Sequence, residues 1–210
     1  MEWIIQLPVL FFSIVCHEYA HGYVAHRNGD DTAYLMGRLS FNPMAHFDLM
    51  GTVIVPLLCA WWHMPMFGWA KPVPVNPLRL NEMRRGMAKV SFAGPLSNLL
   101  LAVLFAALFK IAMTAGGQGL SGALATAMRY GVLINLVLAF FNLIPIAPLD
   151  GSKILSGLLS PAKAAAYERH APYGPFILLG LVLTGAFKFV LAPALLVSVV
   201  LLSKIGLGVF

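Results

Sequence analysis

Runs of apolar residues, each close to the length that crosses a lipid bilayer, set the strongest limit on how this chain can fold. They fall at about residues 3–25, 49–66, 91–112 and 124–144, and a longer one, containing Pro193, extends from 174 to the C-terminus. In helix, ~20 apolar residues span the ~30 Å hydrocarbon core. Every backbone N–H and C=O in that core must be paired within the protein, so these runs are read as helices, and irregular backbone survives there only against protein or a wet cavity. Composition agrees: 60% of the 210 residues are hydrophobic and 10% are charged, against about 25% charged in a soluble domain. The expectation is an all-α polytopic membrane protein, one domain over residues 1–210, built as a bundle of about five to six transmembrane segments. The last run is long enough for two passes or one broken helix.

The connecting segments are short. Asn28-Gly29 and Asp30-Asp31 mark a turn, and loose alternation after them in NGDDTAYLMGRLSFNP predicts a short β-hairpin. FGWAKPVPVNP carries prolines at 72, 74 and 77, which exclude helix and favour extended chain. TAGGQGLSG, at 114–122, reads as a flexible turn. The net charge of +6 comes from basic residues in these loops, a pattern that suits lipid headgroups and membrane orientation rather than nucleic acid. The bilayer is therefore an expected partner and nucleic acid is not. Cys16 and Cys59 lie in apolar runs without metal-knuckle or disulfide spacing and are read as small buried side chains. The first run has neither a basic start nor a small-residue cleavage site, so it is expected to stay in the mature protein.

That first run carries His17-Glu18-Tyr19-Ala20-His21, an H-E-x-x-H pattern. Residues four apart share a helix face, so both imidazoles reach one zinc ion while the glutamate lies beside the remaining coordination position. A catalytic zinc takes three protein ligands and a water, whose proton the glutamate accepts. A charged side chain at the centre of a membrane helix costs about 2.5–3.5 kcal/mol on insertion scales. A metal site offsets that cost; the plainer alternative is a polar face packed against other helices.

A third ligand must be an acid or a histidine in or beside an apolar run. His26, His46, His63 and His170 lie near run ends or in loops, where an interfacial or solvated role suits them. Asp150 stands out: Pro145 and Pro148 break the preceding helix and swing its carboxylate inward, and Gly151 leaves room behind it.

Together these residues resemble the site-2 protease family of intramembrane zinc metalloproteases. The resemblance rests on HEYAH and on Asn142-Leu143-Ile144-Pro145 running into Leu149-Asp150-Gly151, together with AGPLSN at 93–98 and GWAKPVPVNP at 68–77. It covers the chain from residue 3 to about 155 and, with no PDZ insert legible, is similar to the short prokaryotic branch. It implies one Zn2+ per chain on His17, His21 and Asp150, with Glu18 as general base, in a prokaryotic cell membrane. Asn142 opens the family's asparagine-proline-aspartate motif. For Asn142 and Asn98 three roles stand open: bonding a neighbouring helix, lining the substrate groove or steadying an oxyanion.

Zinc geometry also constrains topology. His21 lies six residues before Arg27, about 9 Å of helix, and Asp150 must arrive at the same depth. A full crossing by 49–66 would leave Asp150 near the opposite surface, whereas a re-entrant hairpin of 49–66 with the Pro-rich return brings it to the Arg27 side. With two passes after residue 172, the hairpin arrangement leaves only Lys110, Arg129 and Lys188 on the far side, and the other basic residues, Lys204 included, mark the near side as cytoplasmic. The N-terminus is then outside and the zinc nearer the cytoplasm.

The expected activity is hydrolysis of a peptide bond in or near a transmembrane helix of a membrane-protein substrate. Such a helix must unwind first, and an extended edge can hold it; 32–41 and 69–77 are the candidates. Trp61, Trp62 and Trp69 are candidate gate residues or interfacial anchors. The rival class is a non-hydrolytic zinc-binding scaffold or transporter. A transporter would show a polar path and internal repeats, which the sequence lacks, and a scaffold has no need of Glu18.

Overall fold

The computed structural model describes residues 3–62, 70–114 and 121–208. Among them the chain is helical and forms no strand. Helices α1 (Trp3–Arg27) and α2 (Thr32–Leu35) are followed by a π-helical segment, Leu49–Ile54, that runs into α3 (Val55–Trp61). Then come α4 (Met83–Thr114), α5 (Ser121–Asn142), α6 (Asp150–Leu158), α7 (Pro161–Glu168), α8 (Gly174–Leu183) and α9 (Phe187–Lys204).

Four of the described helices, α1, α4, α5 and α9, are long and apolar enough to cross a membrane, fewer than the five to six segments the sequence suggested. The physical reason is length. Among the described residues the second apolar run is helical over Leu49–Trp61, and the ten residues of α8 reach about 15 Å.

Helix α4 is the hub and packs on α1, α5 and α6. It runs antiparallel to both α1 and α5. Ala25, near the end of α1, clusters with Leu80 and with Val90 near the start of α4. Phe105 and Phe109 cluster with Val132 and Leu136 of α5. Gly131 permits this closure, because a Cβ there would stand 2.6 Å from Phe105 Cγ. Helix α9 runs parallel to α4, since Leu191 joins Ile144 and Leu149 at one end and Leu202 joins the Phe109 cluster at the other.

The course of α9 corrects the charge assignment. A Cβ on Gly206 would lie 3.1 Å from Lys110 Nζ, so Lys204 belongs to the end of the bundle that holds Lys110. Lys188, beside Phe187 and its partner Phe141, belongs to the end that holds Asp150. The two lysines exchange sides relative to a two-pass reading, and the lopsided charge balance survives because one replaces the other.

The β-hairpin expected after Asn28 is not formed. Asp30, fully buried, accepts hydrogen bonds from both Thr32 N and Thr32 Oγ1, and the chain turns into α2, closed by Leu35 N donating to Asp31 O and Met36 N to Thr32 O. Residues 70–76 are extended, as the prolines predict, but unpaired as a strand. Their N–H groups go elsewhere: Lys71 N to His46 O, Val73 N to Glu18 Oε2 and Asn76 N to Asp30 Oδ2. Arg38 reaches the Lys71 and Pro72 carbonyls. His46, expected near solvent, is fully buried, with Nε2 against Ser40 O. Cys59 is buried and Cys16 half-buried, both as free thiols. Trp61 and Trp62 are exposed; Trp69, His63 and the core of the 114–122 turn lie outside the described residues.

Candidate metal centre

The H-E-x-x-H spacing does on α1 what helical geometry requires: His17 and His21, one turn apart, turn their rings to the same side at 4.6 Å between centroids, edge to face. Asp150 comes from 133 residues further along the sequence. After Asn142 the chain leaves α5 through LIPIAPL, and Asp150 opens α6 as its first residue. Gly151 makes this turn possible, since a Cβ there would come within 2.3 Å of the Leu143 carbonyl oxygen. His17 Nε2 lies 3.1 Å from Asp150 Oδ2, His21 Nε2 lies 3.2 Å from the same oxygen, and the two Nε2 atoms are 3.0 Å apart. All three residues are buried.

These donors fit zinc. Ligand bonds of ~2.0–2.1 Å in a tetrahedron put ligand atoms ~3.3 Å apart, close to the observed triangle. The ring nitrogens that face away are also engaged: His21 Nδ1 donates to Val90 O over 2.8 Å, and His17 Nδ1 meets Asn98 Oδ1 at 2.6 Å. Anchoring one imidazole nitrogen fixes the ring and leaves the other for a metal. Gly94 of α4 forms the back wall, where a Cβ would lie 2.5 Å from His21 Cε1 and 2.6 Å from His17 Nε2.

The triad opens onto a cleft of about 270 Å³ whose lining includes Glu18, Val73, Asn142 and Lys153. Glu18, half-buried, holds Val73 N–H on its Oε2 at 2.7 Å, which ties the H-E-x-x-H helix to the extended segment. Val73 also packs over Gly22, where a Cβ would sit 2.9 Å from Val73 Cγ1. Asn142 lines the cleft and donates to Leu138 O. Asn98 is fully buried behind His17 and bonds Asn135 Oδ1 through Nδ2. Sequence reasoning passed over Ser13 and Asn135, both fully buried beside Asn98. Spacing held the signal, because Ser13 is one helical turn before His17 and Asn135 two turns before Asn142.

YwhC of Bacillus subtilis, named "Putative zinc metalloprotease YwhC", is 40% identical over 190 residues, spanning 89% of this chain and 83% of its own. The family model for Peptidase family M50 matches residues 110–184. The chain belongs to peptidase family M50. The matched region of this site-2 protease family holds Asn142 and Asp150. A second relative, Rip2 of Mycolicibacterium smegmatis, named "Putative zinc metalloprotease Rip2", is 27% identical over 187 residues, spanning 89% of this chain and 69% of its own. No solved structure matches the chain. M50 membership makes this chain a zinc metalloprotease, and Zn2+ its cofactor.

Proposed function

We propose that this chain is an intramembrane endopeptidase in which His17, His21 and Asp150 hold one zinc ion, Glu18 is the general base, and the substrate is a transmembrane helix of another protein. The observation that carries this reading is the convergence of three buried ligand atoms, drawn from residues 133 apart in sequence, on a cleft that Glu18 also lines. When bound, zinc supplies polarisation of the scissile carbonyl and lowers the pKa of water toward ~7. Glu18 keeps one oxygen on Val73 N–H, and its carboxylate takes the proton of the attacking water and returns it to the leaving nitrogen. Asn142, on the cleft wall, is available to the substrate or to a developing oxyanion.

A helical substrate hides its carbonyls, so it unwinds before cleavage. Residues 70–76, extended beside Glu18, favour an extended substrate in the cleft. Among the crossing helices, Arg27 of α1, Arg84, Arg85 and Lys89 of α4 and Lys188 of α9 lie at the Asp150 end, against Lys110, Arg129 and Lys204 at the other, and by the positive-inside rule the Asp150 end is cytoplasmic. The N-terminus is then outside, and the extended residues 70–76, held by His46, Glu18 and Asp30, lie on the cytoplasmic side. The test compares native membranes containing wild type with those containing Glu18→Gln, by mass spectrometry of peptides cut within transmembrane segments and by zinc content. Fragments present only with wild type, at equal zinc, are expected. Equal fragments at equal zinc would leave a non-hydrolytic zinc protein.

A further inference from the structure

We propose that Asn135 and Ser13 are positioning residues that set the tautomer and orientation of His17 through Asn98. This rests on the reading of His17, His21 and Asp150 as zinc ligands. The direction of each hydrogen bond in the chain Val9–Ser13–Asn135–Asn98–His17 is dictated from one end, because backbone carbonyls only accept.

Ser13 Oγ lies 2.8 Å from Val9 O, so its one O–H is committed there. The hydroxyl oxygen then presents lone pairs to Asn135 Nδ2 at 2.8 Å, and the same nitrogen faces Gly131 O, also at 2.8 Å. Two acceptors meet this end of the Asn135 amide, so it is the NH2 end. Its oxygen is thereby turned to Asn98, whose Nδ2 lies 2.8 Å away and also faces Ser13 O at 3.4 Å. Two acceptors again fix the NH2 end, and Asn98 is left offering its oxygen to His17 Nδ1 at 2.6 Å. An amide oxygen requires an N–H there. With the proton on Nδ1, Nε2 carries a bare lone pair toward His21 and Asp150.

A flipped Asn98 would present its NH2 to Nδ1, move the ring proton to Nε2 and block that ligand position. His21 reaches the same state with one bond to a backbone carbonyl, Val90 O. His17 depends on three side chains, all fully buried, where no water competes to reorient them.

The test measures zinc affinity of the purified full chain by competition with a chelator, the visible spectrum of the Co2+-substituted protein, and unfolding of the metal-free protein. Asn135→Leu, which keeps the shape but offers Asn98 no acceptor, is expected to weaken zinc binding roughly 10–100-fold, the range for removing a partner that orients a ligand, and to change the Co2+ spectrum. Asn135→Asp keeps an acceptor oxygen toward Asn98 in either protonation state and is expected to retain most of the affinity. Ser13→Ala falls between them, because Gly131 O still orients Asn135. Wild-type affinity in Asn135→Leu, or equal losses in the Leu and Asp variants, would overturn the relay. Should the Leu variant not fold, tighter zinc binding by Ser13→Ala than by Asn135→Asp would overturn it. A wild-type chain that binds no zinc, or a His21→Ala variant that binds it as wild type does, would instead remove the ligand assignment.

Discussion

Gly94→Ala is the sharpest test of the metal centre, because local and tertiary effects oppose one another there. In the middle of a helix, alanine is favoured over glycine by about 1 kcal/mol, so α4 alone would gain from the change. The added Cβ, however, would lie 2.5 Å from His21 Cε1 and 2.6 Å from His17 Cε1 and Nε2, where ordinary contact begins at 3.4 Å. Each ring must retreat by the difference, roughly 0.8–0.9 Å. Zinc sites tolerate about ±0.2 Å in ligand distance. Neither ring is free to swing, since Val90 O and Asn98 Oδ1 hold their far nitrogens. Overpacking of this kind costs about 1–3 kcal/mol, which applied to the ligand geometry is roughly a 5- to 150-fold loss of zinc affinity. Chelator competition on purified protein reads it directly. Gly86→Ala serves as control, because the atoms nearest its Cβ would all belong to the Leu80 side chain, the first at 3.1 Å. Gly94→Ala with wild-type zinc affinity would refute the packing of Gly94 against both imidazoles.

Gly151→Ala would drive a methyl into the Leu143 and Ile144 carbonyls, at 2.3 and 2.5 Å, so the 143–150 turn should open and both zinc binding and folding yield should fall; unchanged thermal unfolding would contradict this geometry. Burial alone would raise the pKa of Asp30, but hydrogen bonds from Thr32 and Asn76 and the charge of Arg79 outweigh it and hold the carboxyl below the usual carboxylate range. Its contribution is therefore present above the unfolded value of ~4 and lost as pH falls through the lower folded value. The protection factor of the Asn76 amide should fall in that acid window and, in Asp30→Asn, already at neutral pH; a protection factor independent of pH would refute it. Cysteines placed at Lys153 and Lys188 should label from one side of the membrane and one at Lys204 from the other, whereas common labelling of 188 with 204 would contradict the course of α9.

The shortfalls of sequence reasoning have local physical causes. Loose alternation after Asn28 suggested strand, but a strand needs a partner that offers its amides. The N–H groups of Val73 and Asn76 are instead held by Glu18 and Asp30, while Pro72 and Pro74 have none to give. Lys188 and Lys204 could not be sided from a continuous apolar run, because one helix and two short ones have the same composition. His46 looked like a loop residue and is buried because Lys71 N–H docks on its carbonyl, a contact between residues 25 apart.

Sequence alone determined the membrane class, the helical secondary structure of the long runs, the pairing of His17 with His21 and the extended Pro-rich segment. Each follows from the order of residues within one element, where the apolar length, the 3.6-residue turn and the fixed φ of proline act over a few positions. Sequence also singled out Asp150 as the third ligand, but tertiary structure alone brought its carboxylate to the two histidines, set Gly94 as the wall and made Ser13, Asn98 and Asn135 meet behind His17. Those contacts join α1, α4, α5 and α6. An asparagine in an apolar helix declares only that it needs a partner, and which partner it finds depends on how the helices are registered against one another.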